Sequence, residues 1–416
     1  MNRSRLLTIF FIVFVDMLGF SLILPLLPYY AESFGASAAV VGFLVASYAA
    51  AQLIGSPILG RLSDRYGRRP VLLFSVAGTF TGFLLLAFAE PVGQGIANIF
   101  APAAANVFIL AVLFISRILD GLTGGNITVA QAYIADITDE SNRAKSLGMI
   151  GAAFGLGFII GPATGGLLSQ WGYNLPALAA AGVAFMNLLL IYFLLPESLT
   201  DELHATSALR KKPPFTVNAL FEALQRPGVG PLLHIRFFYG LAFVMFQNIF
   251  SLFAQVIGLS SQTTGYVLAY VGILSVVTQV GLIAPLTKRY RENVLIITGL
   301  WIMGLSLLGW AFTRDLIPLL IVLLPMSLSG GVLNTVIQSS ISKSVSREEV
   351  GGMLGIASSL EAFTRVIGPT IGGLLLERLG VWAPGVFSAV LMAWVVLFTY
   401  RKVILPSKKE RLAQMA

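Results

Sequence analysis

Long apolar runs, each about as long as a bilayer-spanning helix, alternate with short polar segments along the whole chain. A spanning helix needs about 20 mainly apolar residues. This pattern predicts twelve spans, at residues 6–30, 40–59, 71–89, 107–135, 147–168, 175–195, 231–256, 264–284, 293–312, 316–341, 352–376 and 382–404. We therefore predict an all-α polytopic membrane protein with two pseudo-symmetric six-helix bundles (1–196 and 231–416, the second with a tail) and a linker at 197–230.

The composition supports a membrane protein and excludes several other classes. Hydrophobic residues make up 56% of the 416 residues and charged residues only 11%, whereas soluble domains carry roughly 25% charged residues. Cysteine is absent and the two histidines, His204 and His234, lie far apart, so the sequence predicts no disulfide and no metal site. Because the first run, 6–30, lacks a small-residue cleavage site, it predicts a span and no cleavable signal peptide.

Lysine and arginine are concentrated in alternate loops, which predicts the orientation of the chain. The opposite set of loops holds only Arg314 and Arg378. The basic set comprises Arg3, Arg5, Arg61, Arg65, Arg68, Arg69, Arg143, Lys145, Arg210, Lys211, Lys212, Arg226, Lys288, Arg289, Arg291, Lys343, Arg347, Arg401, Lys402, Lys408, Lys409 and Arg411. Both termini and the linker are therefore expected in the cytoplasm, and the asymmetry favours a bacterial inner membrane. The net charge of +8 is explained by this basic membrane face, so no nucleic-acid partner is predicted.

The fifth and eleventh runs repeat one motif. GMIGAAFGLGFIIGPATGGLL (148–168) and GMLGIASSLEAFTRVIGPTIGGLL (352–375) share G-M-x-G followed by I-G-P-x-x-G-G-L-L. Two related halves are typical of a transporter that rocks around a central site. The alternative is a chance similarity between unrelated apolar helices.

Four segments resemble a known family. GRLSDRYGRRP (60–70) resembles the G-x-L-x-D-R-x-G-R-R signature of the major facilitator superfamily. GLGFIIGPATGG (155–166) resembles the Gly-Pro motif of its proton-coupled antiporters. DMLGFSLILPLLP (16–28) and RILDGLTGGNITVAQAYIADIT (117–138) resemble the first and fourth helices of the drug/proton antiporter branch, notably tetracycline/proton antiporters.

The charged loop at 60–70 carries a candidate conformational latch. Gly60 and Gly67 permit a tight turn and close helix approach. Asp64 can accept backbone N–H bonds at the N-terminus of a neighbouring helix, where negative charge is favoured. The resemblance implies that this neighbour is span eleven and that Arg68 pairs with Asp136, so that the cluster holds the outward-facing state. The alternative is a plain positive-inside anchor.

The Gly-Pro motif of span five has two compatible interpretations. Gly157, Gly161, Gly165 and Gly166 form a small-residue face and Pro162 kinks the helix. Tight helix packing alone explains such a face. The resemblance to antiporters implies that it also seals the two halves against leak.

Five ionisable residues fall deep within predicted spans, where charge is costly without a partner. Asp16 lies in span one. Arg117 and Asp120 share a face of span four, and Glu361 and Arg365 share a face of span eleven. The functional hypothesis is proton coupling, in which a carboxylate gains and loses a proton as its arginine partner moves. Asp16 is the first candidate because it matches the antiporter branch. The alternative is that the two arginine–carboxylate pairs only neutralise each other.

Polar and aromatic residues within the spans predict the walls of a substrate cavity, although each amide could equally form a helix–helix hydrogen bond. They are Phe20, Gln52, Asn126, Gln131, Phe243, Gln247, Gln279, Asn334 and Gln338. Arg236, near the start of span seven, is predicted to be a cytoplasmic anchor. The segment 89–106 is long for an extracellular loop and suggests a re-entrant or interfacial hairpin.

The chain departs from tetracycline exporters at three positions where they carry Asp, His and Asp. It has Gly82, Ser275 and Met303 there, which argues against tetracycline itself as the substrate. The predicted function is a monomeric, proton-driven exporter of an amphipathic organic compound that works by alternating access. No cofactor and no enzymatic activity are predicted, since neither a G-x-x-x-x-G-K-[ST] loop nor a Ser/His/Asp constellation occurs. The alternatives are an uptake symporter or facilitator of a small polar solute, and a non-transporting receptor or scaffold.

Overall fold

A computed structural model describes residues 3–138, 140–199, 217–346 and 349–405, and all regular structure within these ranges is helical. Contacts between residues divide the chain into two compact units. The first unit is Met1–Lys212 with Gly258–Gly272, and the second is Pro213–Ile257 with Ile273–Ala416. Most of the predicted linker, residues 200–216, lies outside the described residues, as does the tail from residue 406.

The helices of the first unit follow the predicted spans, with two interruptions. They are α1 (Arg3–Ile23), α2 (Leu27–Glu32), α3 (Ala38–Tyr66), α4 (Arg68–Ala87), α5 (Ala89–Phe100), α6 (Ala105–Thr123), α7 (Asn126–Ile137), α8 (Glu140–Leu168) and α9 (Asn174–Leu194). Span one is interrupted after Ile23, where Pro25 lacks the N–H that a continuing helix needs. Span four is interrupted at Gly124 and Gly125.

The helices of the second unit continue the numbering. One of them begins in the first unit and ends in the second. They are α10 (Val217–Gln225), α11 (Val229–Val256), α12 (Ser261–Val277), a π-helical turn (Thr278–Leu282), α13 (Ile283–Arg289), α14 (Glu292–Phe312), α15 (Leu316–Lys343), α16 (Val350–Leu379), α17 (Ala383–Thr399) and a π-helical turn (Tyr400–Ile404). The division between the units falls within α12, after Gly272.

The two units use the same helix pairings. In the first, α1 packs on α8 and α9, and α4 packs on α6 and α9. In the second, α11 packs on α16 and α17, and α14 packs on α15 and α17. These helices correspond in the two halves. In each half, the first spanning helix packs on the fifth and sixth, and the third packs on the fourth and sixth. The repeat seen in the sequence is therefore a repeat of packing.

Eleven of the described helical segments are long and apolar enough to cross a bilayer. The segment missing from this set is α16, whose hydropathy is lowered by Glu361 and Arg365. Its 30 residues exceed the length that a bilayer requires. With α16, the segments match the twelve predicted spans.

The segment 89–106 comprises helix α5, a short 3₁₀ turn (Pro102–Ala104) and the first residues of α6, on which α5 packs. Its re-entrant or interfacial position in the membrane stays a prediction. Helix α5 begins one residue after α4 and packs along α6. The close approach depends on Gly93, where a Cβ would stand 2.6 Å from the Cα of Ile109. At its far end, Ile99 and Phe100 are each 77% exposed.

The short helix α10 is tied to the start of α16 by an exposed ion pair. Arg226 donates to both carboxylate oxygens of Glu349, at 2.8 and 3.0 Å. Hydrogen bonds from Arg226, and to a smaller extent from Ser346, lower the pKa of Glu349 to about 2. The carboxylate therefore stays charged throughout the physiological pH range.

The Gly-Pro motif brings the backbones of α8 and α1 into contact. A Cβ at Gly157 would stand 2.9 Å from the Cβ of Met17. One at Gly161 would overlap the Ser21 hydroxyl, and one at Gly165 would overlap the Leu22 carbonyl oxygen. The fourth glycine, Gly166, faces the first turn of α12 within the first unit, where a Cβ would stand 3.1 Å from the Cα of Gln262. Tight packing is thus part of what the motif does.

Gly165→Ala is expected to lower the free energy of unfolding by about 1–3 kcal/mol, since the added methyl group meets backbone and the helices must separate. Gly151→Ala on the same helix is the matched control, because nothing lies within 4 Å of its Cβ position. Thermal unfolding of the two purified variants measures the difference. Equal melting temperatures would contradict the packing assigned to the motif.

Candidate functional site

The interruption of span four is held open by side chains of neighbouring helices. Between α6 and α7, the Gly124 carbonyl accepts hydrogen bonds from Gln52 Nε2 at 3.0 Å and Ser56 Oγ at 3.3 Å. The Thr123 carbonyl accepts one from Ser75 Oγ. Buried backbone carbonyls that leave a helix need such partners. Non-helical backbone inside the membrane is tolerated where it is buried in protein or lines a cavity.

Asp16 lies beside this interruption. Asn126, the first residue of α7, donates from Nδ2 to Asp16 Oδ1 at 2.6 Å. The oxygen of the same amide shares the single hydroxyl proton of Ser75 with the Thr123 carbonyl. Asn126 is thus fixed on both sides and orients the carboxylate. Sequence reasoning placed Asn126 in the cavity wall but missed Ser75, because nothing local in the sequence marks a serine on α4 as its partner.

Arg117 and Asp120 form a buried ion pair on α6, with 3.2 Å between Arg117 Nη1 and Asp120 Oδ2. Their side chains are only 4% and 3% exposed. The guanidinium also lies over the ring of Phe83, 5.4 Å from its centroid, which favours a cation. Among the described residues, Arg117 Nη2 has no hydrogen-bond partner although it is buried. A donor left unmet in this way is costly.

Both carboxylates line one small cavity in the first unit. The cavity is about 20 Å³, room for about one water molecule, and its wall also includes Phe20, Tyr48 and Gln52. Phe20 and Tyr48 pack together with ring centroids 5.3 Å apart. Two carboxylates, Asp16 and Asp120, thus share the site with one guanidinium. One bound proton or one cation would balance the charge.

Gly82, one of the three positions at which the chain departs from tetracycline exporters, lies against Asp120 of this site. A Cβ at Gly82 would stand 3.0 Å from the Cβ of Asp120. An aspartate on α4 at that position would therefore crowd the carboxylate that this chain supplies from α6. The other two departures differ from this one: Met303 is buried in the second unit beside Gly330, and Ser275 lies on α12.

Arg68 connects two carboxylates at the beginning of α4. Its Nη1 donates to Asp64 Oδ1 and Ser63 Oγ at 2.7 Å each, and its Nε donates to Asp136 Oδ2 at 2.9 Å. The predicted bonds from span eleven to Asp64 would join the two units, and they stay a prediction. The role of this cluster as a latch also stays a prediction.

The turn before α4 needs glycine and is capped by a residue that sequence reasoning missed. Gly67 has φ of +101°, a conformation that favours glycine. Glu197 accepts the backbone N–H of Arg68 at 2.9 Å and that of Arg69 at 3.0 Å, placing a carboxylate at a helix N-terminus. Gly60 is less constrained, since a Cβ there would be in ordinary contact with Thr128. Glu197 follows span six directly, which is the one sequence signal that could have drawn attention to it.

Arg68→Lys is expected to lower the free energy of unfolding by about 1.5–3 kcal/mol, because an ammonium cannot hold both carboxylates in the geometry of the guanidinium fork. The control is Arg61→Lys in the same motif, where the side chain is exposed. Thermal unfolding in detergent compares them. If both variants unfold at the temperature of the wild type, Arg68 does not stabilise the protein by joining Asp64 and Asp136.

A second charge cluster, only partly buried, lies in the second unit. Arg236 Nη2 contacts Glu361 Oε2 at 2.6 Å, and Arg365 Nη2 contacts Glu361 Oε1 at 2.8 Å. Arg236 also donates to Asn334 Oδ1. The prediction that Arg236 is a cytoplasmic anchor is therefore wrong. It stands about 10 Å along α11 from Val229, too far to reach the helix end, and its side chain is 12% exposed.

The structure brings only some of the predicted cavity residues to these two clusters. Phe20, Gln52 and Asn126 surround the Asp16 cavity, and Asn334 joins Arg236. Phe243 stacks on Tyr239, with ring centroids 5.9 Å apart. The remaining four are exposed on the helices or turns that carry them: Gln131, Gln247, Gln279 and Gln338.

The chain belongs to the Major Facilitator Superfamily, whose family model matches residues 9–293 and again residues 232–414. The members of this family are transporters, so the chain is a multi-pass membrane transporter. The resemblance drawn from its motifs is thereby confirmed.

Known proteins similar to this chain fall into more than one transport class. The tetracycline resistance protein, class C, of Escherichia coli is 32% identical over 425 residues, which cover 98% of this chain and 96% of that protein. Solute carrier family 22 member 18 of Mus musculus is 29% identical over 382 residues, covering 91% and 90%. Among solved structures, a D-xylose-proton symporter superposes with a TM-score of 0.73 at 18% identity, covering 96% of this chain and 98% of that one. The last similarity shows the fold alone.

Proposed function

We propose that the protein is a proton-coupled antiporter that exports an amphipathic organic compound by alternating access. The observation that carries this proposal is the cavity lined by Asp16 and Asp120, of which only Asp120 is paired with a guanidinium, that of Arg117. Such a site holds one negative charge in excess and can be neutralised by one proton. A carboxylate that is neutral in one state and charged in another can couple proton movement to the conformational cycle.

Asp16 is the proposed proton carrier. Its hydrogen bond comes from a neutral amide, Asn126, and it has no arginine within hydrogen-bond distance among the described residues. Asp120 is paired with Arg117 and serves in this proposal to hold that arginine close to the cavity. Glu361, bonded to two arginines, is the least suited of the three to give up and regain its charge.

Drug export is supported by the relatives whose names concern resistance. The tetracycline resistance protein is similar over nearly the full length of both chains. Within this proposal, the Arg68 cluster is a latch of the outward-facing state and the glycine face of α8 limits leak. The protein would act as a monomer in a bacterial inner membrane with both termini cytoplasmic, driven by the proton gradient without a cofactor.

Uptake of a small polar solute by symport or facilitation is the second candidate. It is favoured by the departures at Gly82, Ser275 and Met303 from the tetracycline exporters, and by the relative in the solute carrier class.

The experiment that separates the candidates uses purified protein in liposomes with an imposed proton gradient and an internal pH dye. Tetracycline, ethidium, tetramethylrhodamine methyl ester and fluorescein are added in turn. Antiport predicts that at least one compound dissipates the gradient faster than in protein-free liposomes. If none does and radiolabelled sugars or amino acids enter without a gradient, the exporter proposal is wrong and a facilitator replaces it.

A further inference from the structure

We infer that the second unit binds an anionic group of the transported compound, such as a carboxylate, sulfonate or phosphate, through Arg365 and Asn334 beside Glu361. This inference names a substrate class for the proposed transporter and rests on that function only in treating the bound compound as cargo. It concerns residues of α11, α15 and α16 that belong to one unit.

The charge balance of the cluster is positive. Arg236 and Arg365 share one carboxylate, Glu361, and each guanidinium takes one of its two oxygens. Other carboxylates of the unit's described spans lie elsewhere. Glu292 begins α14 and is paired with Lys343 at 2.6 Å, and Glu377 lies about 24 Å along α16 from Glu361. One positive charge of the cluster therefore lacks a countercharge among the described residues of the unit's spans.

The excess charge lies on Arg365. Arg236 is 12% exposed and is held by both Glu361 and Asn334, whereas the Arg365 side chain is 49% exposed. Arg365 is residue 16 of the 30 in α16, near the middle of the span. A guanidinium exposed to lipid at that depth is costly, so its exposed surface is expected to face water.

The direction of this face supports the same conclusion. Glu361 and Arg365 are one turn apart on a single face of α16. The partner of Glu361 on another helix is Arg236 of α11, which in turn donates to Asn334 of α15. This face therefore points into the bundle. Half-exposed guanidinium groups that face water within a bundle suit anions, because the planar fork matches two oxygens of a carboxylate or phosphate.

Asn334 supplies a second donor. Its Oδ1 accepts from Arg236, so its amide N–H groups are directed away from that arginine, and the residue is exposed. Asn334 thus adds a neutral donor to the cluster, to which Arg365 is joined through Glu361 and Arg236. The Asp16 cavity of the first unit carries the opposite excess charge, so a proton and an anionic group need not compete for the same residues.

Equilibrium binding without a proton gradient tests the inference independently of antiport. Wild-type protein in lipid nanodiscs is titrated against fluorescein, an amphipathic anion, and tetramethylrhodamine methyl ester, a cation built on the same xanthene ring system. Binding is followed by fluorescence anisotropy. The variants are Arg365→Gln, which leaves Glu361 paired with Arg236, Arg365→Lys, which keeps the charge, and Glu361→Gln, which increases the positive excess. Thermal unfolding checks that each variant is folded.

The wild type is expected to bind fluorescein. Arg365→Gln is expected to weaken that binding roughly tenfold or more, and Arg365→Lys by no more than about threefold. Glu361→Gln should bind fluorescein at least as tightly as the wild type, and the cation should bind all folded variants alike.

Absence of fluorescein binding to the wild type would overturn the inference, as would equal binding by wild type and Arg365→Gln. If Arg365→Gln does not fold, weaker fluorescein binding by Glu361→Gln overturns it instead. Loss of anion binding together with intact gradient dissipation by a cation would leave the proposed antiport standing, so the two proposals fail separately.

Discussion

Asp16→Asn is expected to abolish proton-coupled transport while exchange of the transported compound continues. Asparagine can keep a hydrogen bond with Asn126 but has no proton to carry. In proteoliposomes, the compound that dissipates the gradient in wild type should leave it at the rate of protein-free liposomes in the variant. Exchange of labelled for unlabelled compound, measured without a gradient, should persist.

Asp315→Asn is the matched control, because this aspartate is exposed at the beginning of α15. It should behave as wild type in both assays. If Asp16→Asn dissipates the gradient as fast as the wild type, Asp16 has a structural role and the proton carrier is Asp120 or Glu361. If exchange is lost as well, the variant no longer binds the compound, and the loss of proton movement cannot be assigned to coupling through Asp16.

Arg117→Gln is expected to cause the largest loss of stability, about 3–5 kcal/mol. Its partner Asp120 is 3% exposed and would remain without the nearest cation in a site that already contains Asp16. The loss also includes the contact between the guanidinium and the ring of Phe83. Thermal or denaturant unfolding of the purified protein in detergent measures it.

The double variant Arg117→Gln/Asp120→Asn separates charge from packing. With both charges removed, no unpaired carboxylate is left at position 120, so much of the stability should return. Transport should not return, because the charge balance around Asp16 has changed. Equal destabilisation of the single and the double variant would show that the ion pair itself contributes little.

The sequence predicted the number and order of the spans well, because a spanning helix is marked by its length and hydropathy alone. It did not predict the interruption at Gly124 and Gly125. Glycine pairs are common in membrane helices, and this pair opens the helix because Gln52, Ser56 and Ser75 satisfy the freed carbonyls. Those partners lie on α3 and α4, at a distance in sequence that no local pattern reports.

The charged residues were found by sequence, but their partners were found only in part. Pairs on one helix, such as Arg117 with Asp120, follow from helical spacing. The contact of Arg236 with Glu361 joins α11 to α16, across 125 residues of sequence, and was missed. The placement of Gly82 against Asp120 was missed for the same reason, although each position had been singled out separately.

The central claim is that protons and an organic compound move in opposite directions through this protein. Both fluxes can be recorded in one proteoliposome experiment, with an internal pH dye and the fluorescence or radiolabel of a compound that dissipates the gradient. The account predicts that proton movement starts together with compound movement and runs in the opposite direction. It also predicts that net movement of the compound stops when an ionophore removes the gradient. Compound movement that proceeds at the same rate without any change in internal pH would contradict it.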